Sequence, residues 1–461
     1  MQHRYREPFR VRRRPQARRG RRLRLAVRRR VVVRRGLWGE LVQFPIPRAE
    51  VHQRRIAAGW VFPMSSAPIE RGAVLIGAHG RIQSIGPDHV VPRPPGVAAS
   101  EFPDAALLPG LINTHTHLEL TGFQGQVTEA EFPSWIRSLR QLKTTRTPDE
   151  YVQAARRGLA DCYSGGVTTI ADTGDSGAVI KVLAEAGGSG IAYQEVFGPH
   201  PAQAKESLAG LERRVQELSH LTSSRVRIGV SPHAPYTVSA PLFSSVAAWS
   251  KAERLPLAVH AAESREETAF LLAGAGPFAQ AWHERNIPLP DSLDLSPMAW
   301  FSKHEVLSPL TLCIHAVQLG QADIRVLAES GAAVAHCPLS NRAHGHGTAP
   351  VAAMIAAGVR VGLGTDSVVS IGRLDLLAEA RLAGEQAGLS ADQQLELCTI
   401  RGARALNLET EVGSLEPGKW ADCTVIRLAR TGKTPAERLL ASSKADVLRT
   451  YVGGKEVYRS E

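Results

Sequence analysis

The chain has 461 residues, 43% of them hydrophobic and 21% charged, which allows one large α/β barrel plus a smaller domain or two to three average domains. This balance fits a soluble globular protein, and no apolar run reaches membrane-spanning length. The net charge of +11 is misleading: residues 1–35 hold sixteen Arg against one Glu, a local +15, which leaves −4 on the rest and no reason to expect nucleic-acid binding by the body.

The Arg-rich, acid-poor head at 1–50 has the composition of a nucleic-acid arm or a transit-type peptide, but a disordered tail or an upstream extension from a misplaced start codon is the expectation. Residues 51–106 read as small β structure. Short strands at 56–62, 73–77 and 80–86 are separated by Pro and Gly clusters. The other end, 406–461, has the same texture, with a turn-rich 413–422 and strand-like alternation at 423–427 and 447–458. Two β-rich ends around one long middle predict a small sheet domain assembled from both termini.

The middle, 107–405, repeats strand then helix. Strands are expected at 107–117, 166–173, 190–197, 226–233, 256–263, 311–318, 332–337 and 360–366, with helices between them, for example at 149–163, 203–220, 239–253 and 374–387. Eight such units predict a (β/α)8, TIM-like barrel. A doubly wound sheet is the alternative, but neither a Gly-x-Gly-x-x-Gly after the first strand nor a Gly-Lys-Ser/Thr loop is present. Residues 275–310 form a long insertion before the sixth strand, expected as a pocket wall or lid. Five scattered cysteines without a Cys-x-x-Cys predict a reducing, cytoplasmic setting, no disulfide framework and no cysteine zinc site.

Polar residues close these strands on one rim, where barrel active sites lie. The first strand ends in His115-Thr-His117, whose imidazoles, two residues apart, leave on the same face. The fourth ends in His233, the fifth in His260 with Glu263 three residues on, the sixth in His315, the seventh in His336 and the eighth in Asp366. Any one histidine reads as a core residue; the series does not. Imidazoles plus one carboxylate suit zinc or ferrous iron, and a catalytic site keeps a position for water. His115, His117, His260 and Asp366 are the expected ligands of one divalent ion, zinc first and ferrous iron second. The ion would lower the pKa of a water from about 15.7 toward 7. Asp366 and His315 would orient and deprotonate that water, and Glu263 would carry a proton to the substrate.

These residues and their neighbours resemble the amidohydrolase superfamily, in its cytosine-deaminase-like and chlorohydrolase-like branch. The resemblance is carried by Pro109-Gly-Leu-Ile-Asn-Thr-His-Thr-His117, Pro232-His-Ala-Pro-Tyr-Thr237, His260-Ala-Ala-Glu263, His336-Cys-Pro-Leu-Ser-Asn341, Gly362-Leu-Gly-Thr-Asp-Ser367 and the turn at Gly413–Asp422. It implies a flanking β-sandwich built from both chain ends (51–106 and 406–461), the same four metal ligands and a Glu263 proton shuttle. Some relatives bridge two metals with a carboxylated Lys on strand four; His233 stands there without a Lys, so a single ion is expected. The implied activity is hydrolytic deamination of an amino-substituted heterocycle, of adenosine type or aminodeoxyfutalosine type, with release of ammonia. Hydrolysis of a triazine C–Cl bond or of a cyclic amide is the alternative on the same site. A non-catalytic barrel would typically lack ligands, and none is missing. Candidate substrate contacts are Trp135 in the loop after strand one, His233, and Asn341, Arg342 and His344 after strand seven, with His346 beside them. The expected partners are a small-molecule substrate and further copies of the chain, without membrane or nucleic acid for the folded body.

Overall fold

A computed structural model describes residues 53–290 and 294–461. The Arg-rich segment expected at 1–50 lies outside the described residues. Fifteen strands are described: β1 (Arg54–Val61), β2 (Ile69–Ile76), β3 (Ile82–Pro87), β4 (Ala98–Pro109), β5 (Leu111–Thr116), β6 (Val167–Gly174), β7 (Gly190–Val196), β8 (Val226–Pro232), β9 (Leu257–Ala261), β10 (Thr311–His315), β11 (Ala333–His336), β12 (Arg360–Leu363), β13 (Cys423–Arg427), β14 (Val447–Val452) and β15 (Lys455–Arg459).

Strands β5 to β12 pair in chain order, all parallel, into a nearly closed eight-stranded barrel. Their residues are buried on both faces, which is why β5 and β9 read as runs without polar alternation. Ile112, Ile191, Ala258, Leu312, Ile314 and Ala335 fill the interior. Val230, Val259, Cys313 and Val361 face the surrounding helices. The seam between β12 and β5 is held by a clasp rather than a long ladder. The Asn113 amide donates to Thr365 Oγ1 (2.8 Å) and accepts from the Thr365 N–H (3.1 Å), while the His115 carbonyl accepts from the N–H groups of Thr365 and Asp366 (3.0 and 3.1 Å).

Strands from both chain ends form a separate seven-stranded sheet, ordered β15-β14-β13-β4-β1-β2-β3. Ile56, Val74 and Ile76 share one core with Leu107, Val425 and Tyr451, so the two termini bury a common face. One expectation is corrected here. The strand read at 107–117 is two strands. Leu107 and Leu108 pair with Val425 and Thr424 in the terminal sheet, and β4 begins at Ala98, ahead of the expected boundary. Pro109 and Gly110 make the crossing. A Cβ on Gly110 would lie 2.1 Å from Thr168 Oγ1, so the chain passes there only as glycine.

The four quoted helices are present as Pro148–Ser164, Ala204–Leu218, Ala240–Glu253 and Leu376–Ala387. The first starts at a capping box in which the Thr147 and Glu150 side chains satisfy each other's backbone N–H groups. The insertion at 275–310 carries helices Gly276–Glu284 and Pro297–Lys303. All five cysteines are free and buried. Among the described residues no helix is long and apolar enough to cross a membrane.

Candidate active site

Four donors converge at the C-terminal mouth of the barrel. The His115, His117 and His260 ring centroids lie 4.7, 5.1 and 5.5 Å apart, and Asp366 Oδ1 is 3.6 Å from Nε2 of both His115 and His117. The backbone selects the tautomers. His117 Nδ1 meets the Thr173 carbonyl at 2.8 Å and His260 Nδ1 meets the His233 carbonyl at 3.2 Å. A carbonyl only accepts, so both Nδ1 atoms carry the hydrogen and both Nε2 atoms present lone pairs. Both ring nitrogens of His115 are buried without a hydrogen-bond partner. Burial lowers the pKa of all three rings, that of His117 to about 3 with His115 adding to the effect, so the rings are neutral. Burial works to raise Asp366, but the close approach of His115 and His117 outweighs it and holds the carboxyl well below the usual carboxylate range. Its Oδ2 accepts from Ser340 Oγ (2.5 Å) and Ser370 Oγ (3.0 Å), leaving Oδ1 toward the histidines. Neutral imidazoles, an ionised carboxylate and orphaned buried nitrogens fit a divalent metal.

Glu263 and His315 stand beside these donors. The His315 Nδ1–H donates to Asn341 Oδ1 at 2.9 Å, and its Nε2 lies 3.3 Å from Glu263 Oε1. His346 Nε2 is 3.5 Å from the same oxygen, and the Tyr236 hydroxyl donates to Oε2 at 3.5 Å. Burial raises the Glu263 carboxyl, but His315 and His346 outweigh it and hold the pKa near about 2. The turn that aims Glu263 is clamped by Glu267, whose two carboxylate oxygens accept the Ala262 and Glu263 N–H groups at 2.8 and 2.9 Å.

The rim is strained. Ala262, His315, Ala316 and Asp366 have φ of +52°, +73°, +50° and +55°, a region that costs a non-glycine residue about 1–3 kcal/mol. Strand alternation places Leu312 and Ile314 inside the barrel and Cys313 outside, so His315 would follow Cys313 outward. The left-handed turn brings it over the mouth instead.

The donors open into a cavity at the barrel mouth. Trp135, His233 and His344 line it. His233 is held by Thr237: the hydroxyl gives its proton to the Ala234 carbonyl (3.1 Å) and accepts from His233 Nδ1–H (2.9 Å). Its Nε2 is left as an acceptor, and burial lowers the ring pKa to about 3. Two expected substrate contacts stand elsewhere. Asn341 is buried and turned to His315, outside the lining, because the helix Pro338–Ala343 presents it inward. Arg342, one residue on, falls on the outer side of that helix and is exposed. His336 is also outside the lining; it is a core residue with both ring nitrogens buried and unpartnered.

The stretch around Trp135, read as a loop, is the helix Phe132–Lys143, with Pro133 in its first turn. It crosses the mouth. Trp135 touches His344 (ring centroids 4.8 Å), while Lys143 pairs with Glu119 and Asp175 on the far side. This helix is the wall that the 275–310 insertion was expected to supply. The insertion instead backs Tyr236: Phe278 stacks on that ring at 3.9 Å and Trp282 donates to the Tyr236 carbonyl at 2.8 Å. Sequence reading also missed Glu195 at the end of β7, which lines the cavity with one oxygen unpartnered. Burial pushes its pKa up to about 8. Its place at a strand end was the available signal; Ser370 and Glu267 had none.

Residues 106–457 match the model of the amidohydrolase family. The chain belongs to the amidohydrolase family. Among curated relatives, this amidohydrolase is 30% identical over 422 residues to a 5-methylthioadenosine/S-adenosylhomocysteine deaminase of Symbiobacterium thermophilum, covering 87% of this chain and 93% of the relative. Among solved structures it is similar to an adenosine deaminase from Xanthomonas campestris with bound zinc, with a TM-score of 0.77 and 25% identity over 88% of this chain and 92% of that one. The fold is shared with the aminofutalosine deaminase of Helicobacter pylori, whose structure holds methylthio-coformycin, at a TM-score of 0.77 and 23% identity, covering 88% and 100% of the two chains. As an amidohydrolase the protein uses a divalent metal.

Proposed function

We propose that this amidohydrolase removes an amino group from an adenosine-type or aminodeoxyfutalosine-type heterocycle and releases ammonia. The observation that carries the reading is that Glu263, paired with His315, shares one cavity with the neutral His117 and His260 and the ionised Asp366, with His115 buried against them. Zinc is the ion of choice, since three imidazoles and one carboxylate suit it, and the zinc-bound relative supports it. When bound, it would lower the pKa of a water toward about 7. His115, His117, His260 and Asp366 would hold it.

The chain's own groups then divide the proton work. Glu263 rests as a carboxylate, so it first takes a proton from water at Oε1 and then delivers it to the ring nitrogen beside the amino-bearing carbon. The water oxygen adds to that carbon as the ring nitrogen is protonated. Asp366 Oδ1, with Oδ2 tied to Ser340 and Ser370, takes the second proton and passes it to the amino group, which leaves as ammonia. His315, fixed by Asn341, steadies the water against Glu263. The helix Phe132–Lys143 covers the mouth and limits entry of bulk water. The barrel, read as 107–405, carries all of this, and the two chain ends serve as a β-sandwich around it. Five buried, unpaired cysteines support a cytoplasmic setting.

The test is ammonia release by the metal-loaded protein from a panel of adenine nucleosides, other aminopurines and amino-triazines. Turnover of a nucleoside is expected. Chloride release or cyclic-amide cleavage without ammonia would overturn the reading.

A further inference from the structure

The cavity face of the helix Phe132–Lys143 consists of Phe132, Trp135, Ile136, Leu139, Arg140 and Lys143, the spacing of a single helical stripe. It begins aromatic and ends in two cations, and the two have different surroundings. Lys143 is neutralised: its ammonium lies 2.7 Å from Asp175 Oδ1 and 3.3 Å from Glu119 Oε1. Arg140 has no hydrogen bond or ion pair among the described residues, although it lines the cavity. The charges that act on it are of its own sign. Burial and Arg285 both disfavour its protonated form, and its charge in turn disfavours a proton on His233.

Apart from Glu195, whose pKa burial raises to about 8, the acids of the site are committed elsewhere. Glu263 faces His315 and His346, Asp366 is held by Ser340 and Ser370, and Glu119 and Asp175 share Lys143. Arg140 is solvent-exposed where it lines the cavity, and a guanidinium there without a counter-ion is a preformed fork for a carboxylate. We propose that Arg140 binds a carboxylate carried by the substrate beyond its amino-bearing ring, so that an anionic or zwitterionic nucleoside is preferred to a neutral one. This rests on the deaminase reading above and adds the substrate's charge to it. Arg342, which the sequence suggested for such a contact, lies outside the cavity lining.

S-adenosylhomocysteine and 5′-methylthioadenosine share a thioether nucleoside and differ by a carboxylate-bearing side chain, which makes them a matched pair. Their kcat/KM values, read by ammonia release, would be compared in the metal-loaded wild type, Arg140→Gln, Arg140→Lys and Arg342→Gln. Loss of a charge-assisted contact corresponds to about 10- to 100-fold. Arg140→Gln is expected to lose that factor on S-adenosylhomocysteine, mainly in KM, and to change methylthioadenosine turnover less than about 2-fold. Arg140→Lys should recover part of the loss, because a point charge replaces the fork. Arg342→Gln should match the wild type on both. Equal turnover of the two nucleosides by the wild type, or an equal fall on both in Arg140→Gln, overturns the subsite and leaves the deaminase reading standing. No ammonia from any adenine nucleoside overturns the deaminase reading and the subsite with it.

Discussion

Asn341→Ala separates two roles for one buried amide. Asn341 is 1% exposed, and its Oδ1 accepts the His315 Nδ1–H at 2.9 Å, while its own Nδ2 has no partner. Truncation leaves the His315 donor without an acceptor, a cost of about 1–3 kcal/mol. It also removes the unpartnered amide donor, which offsets part of that cost and brings the net loss of stability to about 1 kcal/mol. The kinetic effect is larger. Without the acceptor, the ring can rotate or place its hydrogen on Nε2, against Glu263. A catalytic imidazole held in the wrong tautomer loses up to about 10^4-fold. Here the ring keeps its backbone strain and its Glu263 neighbour, so kcat should fall about 10- to 100-fold, or 1.4–2.7 kcal/mol, with KM nearly unchanged. Asn341→Asp keeps an acceptor for the His315 Nδ1–H and should therefore retain more of the wild-type kcat than Asn341→Ala. Both variants would be followed by steady-state ammonia release between about pH 5 and 9. A rise in KM with kcat intact would place Asn341 on the substrate and refute its role in positioning His315.

Glu263→Gln should lower kcat by about 10^2- to 10^4-fold while metal content and thermal stability stay near wild type, since the amide keeps the shape but cannot cycle a proton; single-turnover kinetics with metal analysis would check it. Chelation should abolish ammonia release and added zinc should restore it, whereas His115→Ala should lower zinc occupancy, measured by elemental analysis after dialysis. Glu195 has a folded pKa of about 8, above its unfolded value, so stability tied to its protonation is present at low pH and is lost as pH rises from about 4.5 through 8. Glu195→Gln should flatten that decline in urea titrations at pH 5 and 8, by at most about 1.4 kcal/mol per pH unit; equal slopes in both proteins would show that Glu195 is ionised in the fold.

The barrel and its rim are legible in the chain without coordinates. Buried parallel strands are continuous apolar runs, and a polar residue that ends such a run is visible without coordinates; His115, His117, His233, His260, His315 and Asp366 were all found that way. Their proposed grouping into ligands and proton carriers rests on side-chain chemistry. His336 met the same rule and stands outside the cavity, because a strand end does not specify which way the next side chain turns. The closed fold settles that, through the left-handed turns at Ala262, His315 and Asp366. It also decided which distant residues complete each site group: Ser340 and Ser370 on Asp366, Glu267 under Glu263, Asn341 on His315. Each is placed by a backbone turn or by an element remote in the chain, and no local period records it. The split at Pro109–Gly110 was hidden for the same reason: two buried strands of different sheets are apolar alike, and only their pairing partners tell them apart. The helix across the mouth had the right spacing in its sequence, but its apolar face covers a cavity rather than a core, and that distinction exists only once the barrel is closed beneath it.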